Sequence, residues 1–263
     1  MITPTDLLRD LPTRIVPRRV LSYGRVGSTM DIARQELQTA TAESLPLLVL
    51  AEEQTTGRGR MGRQWVAPPE SALMFSLAMR PRWLAPADAG VLVWLMGVAL
   101  CEALQGMYGL EPRLKWPNDV LLDEHKLAGI LPEASSSQHH IEWAIIGCGI
   151  NISASPPPDG LRYPAIHLTE QTGGEVDRRA LLRALLVRLD DWYTRLESDT
   201  ATTRANLFDA WRGLLVTIGQ RVQVETTSGM LAGLAEDVEP SGALRLRSDN
   251  GDLHTISSGD VFG

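Results

Sequence analysis

The sequence predicts a mixed helix-and-strand fold in two parts, a large domain over residues 1–215 and a small all-β unit over residues 216–263. Three observations carry this reading. Apolar runs of strand length recur through the first part, at residues 47–51, 72–79 and 141–152. A long run with apolar residues at helical spacing fills its middle, from about residue 86 to 107. Beyond Thr217 the texture changes to short β-type runs separated by Ser-Gly and Asn-Gly turns.

The elements follow in chain order. The first 20 residues are punctuated by proline. Ser28 or Thr29 caps a helix with Ile32, Ala33 and Leu37 on one face. The helix over 86–107 places Val91, Trp94, Leu95, Val98 and Leu104 at core spacing. Residues 113–116, 120–122 and 127–131 read as short strands, and 141–152 as a strongly apolar one ending in glycines. Residues 153–163 form a proline-rich loop. Asp177 caps a helix whose Leu181, Leu182, Leu185, Leu186 and Leu189 face inward, and a second helix spans about 203–215. The C-terminal runs, 221–225, 244–247 and 253–256, make a small β-barrel.

Composition narrows the function. The chain has 263 residues, a formal net charge of −7 and a pI near 5.3, which argues against a general nucleic-acid binder. Cys101 and Cys148 lack metal-ligand or CxxC spacing and read as reduced, buried thiols; the five histidines show no zinc pattern. The N-terminus lacks the basic and apolar regions of a signal peptide, and the long apolar stretch is broken by Pro86, Asp88 and Glu102. A buried helix is expected there rather than a membrane span, and with it a cytoplasmic location.

Within this acidic chain stands Gly57-Arg58-Gly59-Arg60-Met61-Gly62-Arg63-Gln64-Trp65. Mutually repelling cations on a glycine-rich loop stabilise a fold poorly, but they suit an anion. Glycine admits close backbone approach, and arginine offers forked donors for carboxylate and phosphate. The segment is expected to order around an acidic, phosphorylated ligand; a solvated basic turn is the plain alternative. A dinucleotide fingerprint is disfavoured, because Pro68 and Pro69 follow and no helical period does.

Three further clusters carry chemistry. In Lys115-Trp116-Pro117-Asn118-Asp119 the proline should end a strand and present an amide beside a carboxylate, a pair that suits Mg²⁺ or else an Asx turn. In Lys126-Leu127-Ala128-Gly129-Ile130 a lysine opens an apolar strand thinned by Gly129; an exposed hairpin-edge lysine would look the same. In Gly147-Cys148-Gly149-Ile150-Asn151 two glycines make room in a buried strand for something planar, or merely kink it. With no nucleophile elbow and no Walker phosphate loop, the polar residues must act by electrostatics and positioning.

Taken together and in this order, the four clusters resemble the biotin–protein ligase family. The resemblance implies an α+β catalytic domain related to class II aminoacyl-tRNA synthetases, followed by an SH3-like domain. It implies that ATP activates biotin to biotinyl-5′-AMP with release of pyrophosphate, and that biotin then passes to a lysine of a biotin carboxyl carrier protein domain. Arg60 and Lys126 fall at the positions the family sets against the carboxylate and α-phosphate. Ser28, Thr29, Met30, Gln54, Arg58, Gly59, Gly129, Gly147 and Gly149 join them on the biotin side. Arg58, Arg63, Trp65, Lys115, Asn118 and Asn151 fall on the ATP side, and Asn118 and Asp119 are the expected Mg²⁺ pair. Met30 and Ser153 stand where many relatives have asparagine, which puts those side-chain contacts in doubt. About 25 residues precede Ser28, too few for the DNA-binding module some relatives carry, so no DNA partner is expected. The oligomeric state, monomer or homodimer, stays open. The nearest rival is a lipoate or octanoate ligase or transferase of the same fold.

Overall fold

The computed structural model describes residues 1–156, 164–226 and 229–262, so most of the proline-rich loop read over 153–163 lies outside the described residues. Apolar runs without alternation predict strands buried on both faces, and that is what forms. β1 (Arg19–Val26), β2 (Leu47–Gln54), β3 (Ala72–Met79), β4 (Arg113–Lys115), β5 (Asp119–Leu122), β6 (His125–Ser136) and β7 (Ile141–Asn151) make one seven-stranded sheet in the order β1-β2-β3-β7-β6-β5-β4. The β1–β2 pair is parallel and the other neighbours are antiparallel.

Helices cover both faces. α1 (Pro4–Leu8), capped by Thr3, precedes the sheet. On one face α2 (Thr29–Thr39) lays Met30, Ala33 and Leu37 against Leu47, Val49 and Ile145. On the other, α3 (Val91–Tyr108) packs against β5, β6 and β7 in the main core, which also takes the alternate residues Leu48 and Leu50 of β2. Val91, Trp94, Leu95, Val98 and Leu104 are all buried, as their spacing predicts. The run from Pro86 to Tyr108 is long and apolar enough to cross a membrane, but here it is a core helix, mostly buried by the protein itself. After the short α4 (Leu168–Thr172), α5 (Arg178–Ser198) begins where Asp177 accepts from Arg179 N and Ala180 N. Its five inward leucines are buried. α6 (Thr200–Leu214) starts three residues before the predicted point, because Asp199 caps it through Thr202 N.

The C-terminal residues form a second, antiparallel sheet of β8 (Arg221–Thr226), β9 (Gly229–Val238), β10 (Leu244–Ser248), β11 (Leu253–Ile256) and β12 (Asp260–Phe262), ordered β11-β10-β9-β8-β12. It is fastened to the turn after β4. Trp116 N donates to Thr217 Oγ1 at 3.0 Å, and its indole Nε1 to Gly242 O at 2.9 Å. Trp94 stacks on Trp211 with ring centroids 5.0 Å apart, and the Trp94 ring also lies against Gly242. The small sheet is thereby held over one end of the large one.

Candidate active site

At that end the two sheets enclose a cavity of about 400 Å³. Every residue predicted for the site lines it: Ser28, Thr29, Met30, Gln54, Arg58, Gly59, Arg60, Arg63, Trp65, Lys115, Asn118, Asp119, Lys126, Gly129, Gly147, Gly149 and Asn151. Segments distant in sequence converge because the central strands do. Gly149 pairs with Gly129 across β6–β7 and with Met74 across β3–β7, so the thinned positions lie side by side in mid-sheet.

The gap these glycines leave is already filled by protein. A Cβ on Gly149 would stand 2.5 Å from the Trp65 ring, and one on Gly147 would stand 2.9 Å from Met30 Sδ. Any larger residue would have to displace those side chains. Trp65 lies over the strand as a planar group would, and among the described residues its Nε1 has no hydrogen-bond partner. The resemblance sets Trp65 near the nucleotide and these glycines near biotin; in this conformation they touch.

Polar side chains near the start of α2 close one wall. Ser28 caps the helix, its Oγ accepting from Met30 N at 3.3 Å. Thr29, the first residue of the helix, ties it to the sheet. Its N and Oγ1 donate to Gln54 Oε1 at 2.8 and 3.0 Å, which leaves its Oγ1 to accept from the buried Ser76 Oγ at 2.8 Å. This network fixes Gln54 at the end of β2.

The opposite wall is cationic. Five cations, Arg58, Arg60, Arg63, Lys115 and Lys126, face the cavity with two carboxylates, Asp119 and Asp260. The arginine loop, expected to order around a ligand, has anchors in the protein itself. Gly59 N donates to Arg63 O at 2.7 Å and Trp65 N to Gly57 O at 3.0 Å, closing it into a tight turn. Arg58 Nη2 donates to Asp31 Oδ1 at 2.8 Å. Arg60 and Arg63 reach the C-terminal sheet, where both meet Asp260. Lys126 Nζ pairs with Asp119 Oδ1 at 2.7 Å.

Burial with like charges nearby raises the cost of each charge. Desolvation pulls the Arg60 guanidinium below its ordinary value; Asp260 and Asp119 oppose this, and Arg63 adds to it. Desolvation likewise lowers Lys115, with Asp119 opposing and Lys126 adding. A site that holds unfavourable positive charge is one an anionic ligand would relieve. Neither cysteine competes as a nucleophile: burial pushes the Cys101 thiol up to about 12 and raises Cys148, which lines the cavity, further still.

Asn118 and Asn151 are partly committed. Asn118 Nδ2 donates to Ile130 O at 2.7 Å, and Asn118 O accepts from Ile130 N; both bonds cross to β6, twelve residues on, and neither is the local bond of an Asx turn. Asn151 Nδ2 donates to Ile166 O at 3.0 Å and Lys126 O at 3.4 Å. Among the described residues its Oδ1 has no hydrogen-bond partner. No group of three or more His, Cys, Asp or Glu able to hold a metal exists among the described residues.

Sequence reasoning missed Asp260, Val261 and Phe262, which also line the cavity. The only signal was the Ser-Gly pair before Asp260, which reads as an ordinary turn.

Comparison with known proteins shows which family the chain belongs to. Residues 23–151 match the biotin/lipoate A/B protein ligase family, and residues 217–262 match the biotin protein ligase C-terminal domain. A protein named biotin–[acetyl-CoA-carboxylase] ligase from Paracoccus denitrificans is 33% identical over 233 residues, covering 87% of this chain and 95% of that one. A protein of the same name from Mycobacterium tuberculosis is 31% identical over 277 residues, covering 99% and 98%. Among solved structures, the biotin protein ligase from Aquifex aeolicus in complex with biotin and ATP superposes with a TM-score of 0.74 at 25% identity, over 92% of this chain and 97% of that one.

Proposed function

Because the chain belongs to the biotin/lipoate A/B protein ligase family, we propose that this cavity is where biotin and ATP are joined. The protein is an ATP-dependent biotin–protein ligase. It activates biotin as biotinyl-5′-AMP and transfers it to a lysine of a carboxyl carrier protein. The chemistry is assigned to residues 1–215, with residues 216–263 closing the site.

In the first step a biotin carboxylate oxygen attacks the α-phosphorus of ATP. The acyl–phosphate bond forms as the bond to pyrophosphate breaks. Two anions must meet, and fixed cations in a water-poor cavity offset their repulsion without reorganising. In this reading Arg60 and Lys126 take that role, with Arg58 and Gly59 lining the acid and phosphates. Ser28, Thr29, Met30 and Gln54 take the ring of biotin against Gly129, Gly147 and Gly149. Arg63, Trp65, Lys115, Asn118 and Asn151 take the nucleotide. In the second step the neutral ε-amine of the carrier lysine attacks the acyl carbon. The bond to the AMP oxygen breaks, AMP leaves, and the nitrogen gives up a proton.

Mg²⁺ belongs to this reading as an ion carried on the triphosphate. One carboxylate, Asp119, and the Asn118 amide oxygen fit a cation that keeps water and phosphate in most of its shell. When bound, it neutralises the departing pyrophosphate.

The observation that carries the reading is the convergence of Arg60 and Lys126, from distant segments, on one cavity beside the glycine-thinned strands. The test is incubation with biotin, MgATP and a biotin carrier domain, reading pyrophosphate release and the carrier's mass. Biotin-dependent release with a mass gain on the carrier is expected. Release that answers lipoate but not biotin would reassign the substrate.

A further inference from the structure

We propose that Asp260 is a positioning residue for adenylation: a carboxylate from the C-terminal sheet that aims Arg60 and Arg63 into the catalytic cavity. The inference rests on the ligase reading and deepens it, since it makes the small sheet part of the active site.

Asp260 is buried, and its carboxylate meets both arginines: Arg63 Nη2 on Oδ2, and Arg60 Nε at 3.7 Å from Oδ1. The backbone around it takes the same guanidinium. Arg60 Nη2 donates to Gly259 O at 3.2 Å and to Ser258 Oγ at 3.3 Å. These groups are held in place by tight packing. A Cβ on residue 259 would stand 2.7 Å from Val224 Cγ1 and 2.8 Å from Glu225 O, so β12 lies closer to β8 than a side chain would allow. Arg60 also feels Asp119 from the large sheet, and is thereby bracketed by carboxylates of both sheets.

An arginine on a glycine-rich loop has rotamer freedom to lose on engaging a ligand. Ser258 and Gly259 hold one edge of the Arg60 guanidinium by hydrogen bonds, with the Asp260 carboxylate 3.7 Å from Nε; this removes much of that freedom beforehand and leaves the Nη1 donors for a ligand oxygen. The carboxylate also keeps Arg60 and Arg63 together despite their like charge. A purely structural latch would stabilise the loop but would not favour one substrate over the other.

The test compares wild type with Asp260→Asn, Asp260→Glu, Arg63→Ala and the Asp260→Asn/Arg63→Ala pair. Asp260→Asn is expected to lower kcat/KM for ATP by about tenfold, the scale of one lost charge-assisted hydrogen bond. Binding of biotin alone should weaken less than that of ATP, because Arg63 serves only the nucleotide; trypsin cleavage within residues 57–65 should be faster, and Asp260→Glu should recover most of the ATP effect. The double variant should lose less than the sum of the single losses in free energy, since both act through one contact. A folded Asp260→Asn protein with normal kcat/KM for ATP overturns the proposal. So does equal weakening of biotin and ATP alongside a lowered Tm, which is the mark of a structural role alone. A wild type that shows no biotin-dependent pyrophosphate release instead sinks the ligase reading, and the adenylation role with it.

Discussion

Lys126 Nζ lies 2.7 Å from Asp119 Oδ1 and 5.9 Å from the centroid of the Trp65 ring. The two charged residues sit on neighbouring strands, β5 and β6, whose register slips by a bulge between Val120 and Leu121. By skipping Leu127 the bulge sets Lys126 opposite Leu121, two residues along β5 from Asp119, so the lysine is delivered to the cavity with its counterion attached. It cannot swing freely into solvent, and its charge is aimed where the acid and phosphate of the reactants are proposed to meet.

Replacing Lys126 by alanine should therefore leave a folded protein that hardly adenylates. Loss of one preorganised donor from such a site costs about 3 to 4 kcal/mol, or roughly 10²–10³ in rate. Biotin-dependent pyrophosphate release, read beside a near-UV spectrum that confirms folding, checks this. Normal turnover in the variant would take Lys126 out of the site.

Arg60 should act on retention as well as on rate. In Arg60→Ala the adenylate loses a cation that also ties the loop to the C-terminal sheet. Both slower formation and faster escape of biotinyl-AMP are expected. A chase with unlabelled biotin after loading with labelled biotin and MgATP measures the escape; identical rates for both steps in variant and wild type would refute the assignment.

Gly149→Ala probes the slot. The new methyl would meet the Trp65 ring at 2.5 Å, so the indole must leave the strand. Biotin binding should weaken, and the tryptophan emission should shift to the red. Gly149→Ala made in a Trp65→Phe background should show little of that spectral shift. An emission change that persists without Trp65 would place the disturbance elsewhere, among the other tryptophans of the seven.

Lys115 gives a dependence on pH. Burial holds its folded pKa below the ordinary 10.5, so the folded chain binds this proton less tightly than the unfolded chain does. Protonation thus opposes folding. The penalty is complete below the folded pKa and vanishes once the pH exceeds the unfolded value. Lys115→Met should accordingly raise Tm near neutral pH, with the gain fading in the alkaline range, while ATP affinity drops. Melting curves at several pH values test it, and a gain of the same size above pH 10.5 would contradict the sign.

Much of the architecture could be read from local pattern. α3 and α5 follow directly from apolar residues at helical spacing, and Asp177 marks the start of α5. β2, β3 and β7 follow from unbroken apolar runs. β1 did not show, because as an edge strand it is mostly half-buried or exposed and carries no clean apolar period. β12 did not show either; three residues are too few for any period. Ser28 could be read as a cap, but the bonds of Thr29 to Gln54 and Ser76 could not, since they join α2 to two different strands.

By itself, then, the amino-acid order determined which groups this protein brings to its cavity: the arginine loop, the Lys-Trp-Pro-Asn-Asp turn, Lys126 and the paired glycines. Residue type, charge and spacing are local properties, and they survive without a fold. Tertiary structure alone decided which cation meets which anion and what fills the glycine slot. It set Asp260 on Arg60 and Arg63, Asp119 on Lys126, and Trp65 on Gly149. Each of those contacts depends on strand register and on the docking of one sheet against another, and no single stretch of chain encodes either.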